Sequence, residues 1–227
     1  YLVGQRQTIV GDYHFNERGF VVRVYENSCY MEYSFNEYED IEKLASTITE
    51  TLKKELHMME ELGIEKMEAP LIHEEKIEKS MTGEIGVDPT SVSPEEILGR
   101  LKKISDTGAA GKYVIEFRAA AQFAHVSKLF LSEKKDLMQT YAYAEGMAAA
   151  IGVDGEKQDM VFRGFSGLKG AELLDEIEGS VDDILKMLDD KLHADSVVPG
   201  MYDVITAPEI TGLIAHEAFG HGVEMDM

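Results

Sequence analysis

Three residues near the end of the chain have the types and spacing that hydrolytic chemistry asks for: His216, Glu217 and His221. Metal-assisted hydrolysis needs neutral imidazoles to hold the ion, an open position for water, and a carboxylate placed to take that water's proton. In the familiar H-E-x-x-H spacing the histidines are four residues apart, about 40° around a helix, and face one ion. Here they are five apart. On a regular α-helix that separation turns the two rings about 140° away from each other. Sharing one ion then requires the helix to widen, as in a π-bulge, or His221 to lie just past its end. Gly220 and Gly222 flank His221, and glycine accepts backbone angles that other residues resist, so the distortion is expected there.

Periodicity gives a second reason to single out these residues. Ile210, Ile214, Glu217 and His221 fall on one side of a helix. Two ionisable groups therefore stand on the stripe expected to pack inward, where they need mutual pairing or a metal. The residues alone also admit a plain Glu217–His221 pair at helical spacing, with no ion. A structural metal would want four closed protein ligands and no adjacent carboxylate, which makes it the weakest option beside Glu217. His14, His57, His73 and His125 share no spacing that suggests a common ion and are assigned to structure. His193 closes a long helix, where an imidazole suits the dipole. GLKG at 167–170 lacks the spacing and the terminal Lys-Ser/Thr of a nucleotide-binding loop.

The elements that must position the histidines can be read from period and punctuation. Met201–Ile205 reads as a short strand, and Thr206-Ala207-Pro208-Glu209 supplies a cap, an early proline and a third-position glutamate, so a helix starts near Pro208. Upstream, residues 171–194 form one long amphipathic helix with Leu173, Leu174, Ile177, Val181, Ile184, Leu185, Leu188 and Leu192 as its stripe. From Tyr113 to Phe165 the pattern is antiparallel strands, YVIEF, FAHVSKLFLS, DLMQTYAYAEG and QDMVFRGF, broken at Lys134-Lys135 and Asp154-Gly155. Ser93-Pro94-Glu95-Glu96 starts a helix that buries Ile97, Leu101 and Ile104. Residues 63–90 hold two prolines and no steady period and read as an exposed linker. A helix from Asp40 to Leu62, capped by Asn36 with Glu39 and stopped by Gly63, follows a hairpin over residues 5–35 that turns at Asn16–Gly19. The fold class is α+β, mostly antiparallel strands packed with long amphipathic helices and ending in the metal-motif helix. Residues 1–200 form one domain, and 201–227 begin a second.

Composition narrows the class of function. The chain has 227 residues with 22 Lys and Arg against 43 Asp and Glu, a formal net charge of -21, which repels phosphate backbones and anionic lipid headgroups. Neither nucleic acid nor membrane is an expected partner. No apolar run approaches the roughly 18–20 residues that span a bilayer, and the beginning lacks the layout of a secretory signal. A single cysteine, Cys29, fits a reducing compartment. A cytoplasmic location is expected.

The stretch GMYDVITAPEITGLIAHEAFGHGVEMD resembles the signature region of the TldD/PmbA metallopeptidases, formerly described as modulators of DNA gyrase. In that family a short strand leads through a small-residue turn into a helix bearing H-E-x-x-x-H-G-x-E-x-D. His216, Glu217, His221, Gly222, Glu224 and Asp226 fill every fixed position of that pattern. SGLKGAE at 166–172 and the helix after it are similar as well. The close likeness covers about the last 30 residues, and the rest agrees in general layout. The resemblance implies zinc held by His216 and His221, Glu217 as general base, and Glu224 and Asp226 orienting the ligands. It also implies a peptidase for unfolded or extended peptides, working as a homodimer or as a heterodimer with a subunit that lacks the motif. Family members are longer, with a cysteine in their C-terminal half as third zinc ligand. The chain is therefore expected to be an N-terminal half, inactive alone, with its third ligand outside residues 1–227; Cys29 reads as a small buried residue. The alternative function is a non-catalytic, protein-binding regulator, as the older gyrase description suggests.

Overall fold

The structure, a computed structural model, describes residues 1–11, 16–26, 29–64 and 74–224, and of residues 26, 29 and 30 the backbone alone. Its strands run β1 Leu2–Val3, β2 Thr8–Ile9, β3 Phe20–Glu26, β4 Cys29–Phe35, β5 Ile77–Thr82, β6 Val114–Leu131, β7 Lys135–Asp154 and β8 Lys157–Gly167. The helices are α1 Ile41–Glu61, α2 Pro94–Ala109, α3 Leu173–Gly179, α4 Val181–His193 and α5 Pro208–Ala215. The class is α+β. Two compact units divide at the last turn of α4, Tyr1–Leu192 and His193–Met227, a few residues before the expected boundary at 200. Among the described residues no helix is long and apolar enough to cross a membrane.

In the first unit the main sheet runs β2-β1-β6-β7-β5, with β8 also paired to β7. Every pairing is antiparallel except β5 with β7. The four expected segments between Tyr113 and Phe165 are therefore three strands. YVIEF joins FAHVSKLFLS through Ala119-Ala120-Ala121, and DLMQTYAYAEG continues through Ala148-Ala149-Ala150. Alanine has little strand preference of its own, so these joints look like breaks in the sequence. Packing explains them, because a Cβ on Gly146 would come within 2.6 Å of Ile177 and one on Gly152 within 2.6 Å of Leu188. Small residues let the helices approach the sheet.

The helical stripe read from the sequence is the core. Leu173, Leu174, Ile177, Ile184, Leu188 and Leu192 are fully or almost fully buried, and each such burial stabilises the fold by about 1.5–3 kcal/mol. The expected single helix is two, however, because Ser180 interrupts it after Gly179. Both the amide and the hydroxyl of Ser180 donate to the carbonyl of Ile177. α2 begins as expected, with Ser93 Oγ accepting from the amide of Glu96 at 3.1 Å.

Two other expectations change. The linker reading of 63–90 gives way at Ile77–Thr82, where β5 pairs in parallel with Lys135–Thr140. The hairpin lies wholly within residues 20–35, Phe20 opposite Phe35 and Glu26 opposite Cys29, so Asn16–Gly19 precedes it rather than turning it. One face of this hairpin packs against α1 through Met31, Ile48 and Leu52. Asp40 caps α1 in place of Asn36, its carboxylate accepting from the amide of Lys43 at 2.7 Å. Gly63 stops α1 as expected: at φ 62° it lets Ile64 donate to Met59 and Gly63 to Glu60, a Schellman ending.

Candidate metal centre

The second unit holds the histidines, and it begins without the expected strand. Met201–Ile205 has no ladder partner among the described residues, and Met201 and Ile205 are fully exposed. Pro208 opens α5, where its missing amide costs nothing. The cap differs from expectation, since Ala207 stands at the cap and offers no side-chain acceptor. Thr206 instead shares a 2.6 Å hydrogen bond with the hydroxyl of Thr211, which lies 3.0 Å from the Ala207 carbonyl.

At His216 the helix widens. His216–Gly220 is a π turn, closed by the amide of His221 donating to the carbonyl of His216, and His221–Val223 then tightens into a 3-10 turn. The five-residue bond brings His221 over His216, which a four-residue bond cannot do. Of the two resolutions foreseen for the spacing, the widening is the one that occurs, and His221 continues the helix as the first residue of its 3-10 end. The glycine does not cause the widening as expected, because Gly220 has ordinary helical angles of φ -54° and ψ -54°.

The two imidazole rings meet edge to face, centres 4.6 Å apart and planes at 75°. Glu217 lies beside both, with carboxylate oxygens 4.0 Å from His216 Nε2 and 3.9 Å from His221 Nε2. One ligand atom from each of the three lies within 4.8 Å of the others. A tetrahedral zinc with nitrogen ligands at about 2.0–2.1 Å would hold its donors about 3.3 Å apart. All three side chains are exposed, so rotation about their side-chain bonds is open to them. Among the described residues this is the one group of three that could hold a metal ion.

Glu224 completes the arrangement. Its carboxylate lies 2.9 Å from His221 Nδ1, which directs His221 to offer Nε2 to an ion. Asp226, the other residue expected to orient the ligands, lies outside the described residues, as do His14, His73 and the side chain of Cys29. The expectation that Ile210, Ile214, Glu217 and His221 form an inward-packed stripe does not hold in this unit, where all four are exposed. His57 pairs with Glu61 at 3.3 Å and His125 with Asp88 at 3.3 Å, each far along the chain from the cluster. Comparison of the chain with models of protein families and with curated protein sequences finds no match.

Proposed function

We propose that the His216–Glu217–His221 cluster holds a zinc ion and serves a peptidase of the TldD/PmbA type, acting on unfolded or extended peptides. One observation supports the reading above the rest: a π turn unites two histidines whose spacing would part them on a regular helix, with a carboxylate beside both. π turns inside α-helices are rare and frequently lie at functional sites. Two imidazole donors suit zinc and leave room for a further ligand and water, with the Glu217 carboxylate beside them free to act as base.

A zinc ion at this place supplies Lewis-acid polarisation of a water and of the peptide carbonyl. The chain's own residues do the rest. His216 and His221 fix the position of the reaction. Glu217 takes the proton from the attacking water and delivers it to the leaving amine as the C–N bond breaks. Glu224 keeps the His221 ring in the tautomer and orientation that ligation needs. By the same resemblance the third ligand is a cysteine beyond residue 227, the partner is a second family subunit, and the compartment is the cytoplasm.

Zinc titration of the chain, followed by equilibrium dialysis, tests the site. Replacing either histidine with alanine is expected to weaken zinc binding at least tenfold. In the full-length protein Glu217→Gln should retain zinc and lose chelator-sensitive peptide hydrolysis. Undiminished hydrolysis by that variant removes Glu217 from its role. Zinc binding with no hydrolysis in the intact protein would favour the protein-binding alternative.

A further inference from the structure

The two halves of β8 treat their free edge differently. One side of the strand pairs with β7 from Lys157 to Gly167, and among the described residues no strand pairs with the other. The carbonyl of Met160 accepts from Lys191 Nζ at 3.0 Å, and its amide donates to Asp159 Oδ1 at 2.8 Å. Side chains, not β7, thus hold both backbone groups of Met160. Even-numbered residues of β8 therefore turn their N–H and C=O groups outward. The same phase follows from the two-residue turn Gly155-Glu156, which makes Asp154 and Lys157 a hydrogen-bonded pair. Past the plug at Met160, the amides and carbonyls of Phe162, Gly164 and Ser166 face outward with no strand against them.

Beside this stretch lies a groove. Residues 163–166 of β8 form one wall, and Glu176, Gly179, Ser180 and Asp183, where α3 gives way to α4, form the other. A Cβ added to Gly164 or to Gly179 would meet nothing within 4 Å, so there is room on both sides. Proteins blunt free edges with prolines, charges or bulges, yet residues 162–166 contain no proline and keep an unbroken register with β7. The charge of the helical wall says what can enter. Residues 172–190 hold eight acids and one base, Lys186, in a chain whose net charge is -21. Arg163, the one cation lining the groove, is already paired with Asp183 at 3.1 Å, and Lys169 reaches Glu176 at 2.5 Å.

We propose that this groove takes an extended peptide with basic side chains, which joins the sheet as a strand antiparallel to β8. Its residues opposite Phe162, Gly164 and Ser166 each exchange a pair of hydrogen bonds with them. Val161 and Phe165 face the helix-covered core, so the side chains of those residues lie on the opposite face of the sheet, beside Phe162, which is 64% exposed. The side chains between them, opposite Arg163 and Phe165, enter the groove, where a lysine meets the exposed carboxylates of Glu176 and Asp183. Alternation is therefore what the edge selects: apolar over the sheet, basic in the groove. A second copy of this chain is a poor occupant, because each copy would bring the same acids to the other. The groove belongs wholly to the first unit and needs no metal ion, so its occupancy does not depend on the peptidase activity proposed above.

Fluorescence anisotropy of a labelled, capped Val-Lys-Val-Lys-Val peptide tests this, on the 227-residue chain and on the full-length protein, both without zinc. Saturable binding is expected, weakening about tenfold as salt rises from about 0.05 to 0.5 M. A peptide with glutamate in place of lysine should not bind. Methylating the amide of the central valine, which faces Gly164, should abolish binding, while methylating a lysine amide, which points away from β8, should leave affinity within about threefold. Gly164→Pro removes an amide that points away from β7, so circular dichroism should stay unchanged while affinity falls about tenfold. Asp183→Asn, at an exposed position, should weaken the lysine peptide and narrow its advantage over the glutamate one. No binding, equal binding of the lysine and glutamate peptides, indifference to which amide is methylated, or affinity untouched by both substitutions would overturn the proposal. So would binding by the 227-residue chain that the full-length protein lacks, since another segment of the same polypeptide would then fill the groove.

Discussion

His216 and His221 stand with ring centres 4.6 Å apart although five positions separate them, because the amide of His221 reaches back to the carbonyl of His216. The contact depends on the bonding pattern of the turn and not on a special backbone angle. Gly220, between the rings, is helical, and a Cβ there would meet His216 Nδ1 at 3.8 Å, an ordinary contact. Gly220→Ala should therefore leave zinc affinity within about threefold while making the turn more favourable by up to about 1 kcal/mol through helix propensity. Zinc titration of the variant checks this; a loss beyond tenfold would show that the glycine is needed.

The Glu224 side chain meets His221 at Nδ1, 2.9 Å away, beside a backbone bond from the Glu224 amide to the His221 carbonyl. Outer partners of this kind hold ring orientation, and losing one typically costs about 10–100-fold in metal affinity. Glu224→Ala is expected to fall in that range. Glu224→Gln, which keeps an acceptor for the Nδ1 proton, should recover most of the loss. Equal affinities in the two variants and the parent chain would remove Glu224 from the site.

Legibility along the chain followed the range of the interaction that decides each element. The cap at Ser93, the stop at Gly63 and the stripe from Leu173 to Leu192 were readable because each is settled by residues a few positions apart. β5 was not readable: all six of its residues are exposed, and it is held as a strand by pairing with Lys135–Thr140, far along the chain. The alanine joints in β6 and β7 were hidden for a similar reason, since the helices that reward small residues there come later in sequence. At the His216–Glu217–His221 cluster, spacing foretold that the helix must be distorted between His216 and His221. It misplaced the cause in glycine angles, because the choice between α and π bonding leaves no mark on residue type.

Gly108 and Gly99 share α2 and should respond to alanine with opposite sign. A Cβ on Gly99 meets nothing within 4 Å, so Gly99→Ala should stabilise by about 0.5–1 kcal/mol through propensity alone. One on Gly108 would fall 2.2 Å from the fully buried ring of Phe117. Overpacking of that kind costs about 1–3 kcal/mol, more than propensity returns. Gly108→Ala should thus lower the melting temperature by several degrees and Gly99→Ala raise it slightly, read by thermal denaturation of both variants.

Glu172 ties the loop after β5 to the start of α3. Its carboxylate accepts from the amides of Gly86 at 3.1 Å and Val87 at 2.8 Å, while the amide of Ala171 donates to the Val87 carbonyl at 2.8 Å. Burial, the largest single influence, pushes its pKa up, yet the amides of Gly170, Val87, Glu172 and Gly86 together hold it below the ordinary glutamate range. A depressed folded-state pKa stabilises the fold above the unfolded value near about 4.3, and that contribution is lost as pH falls through the folded value. Charged hydrogen bonds of this kind contribute about 1.5–3 kcal/mol each before the cost of burial is set against them, so a net loss of about 1–2 kcal/mol is expected for Glu172→Gln at pH 7. Urea denaturation should show that gap shrinking steadily below about pH 4 as the parent chain's own carboxylate takes up its proton. A gap that stays constant down to about pH 2 would mean that the clamp acts through shape and not through charge.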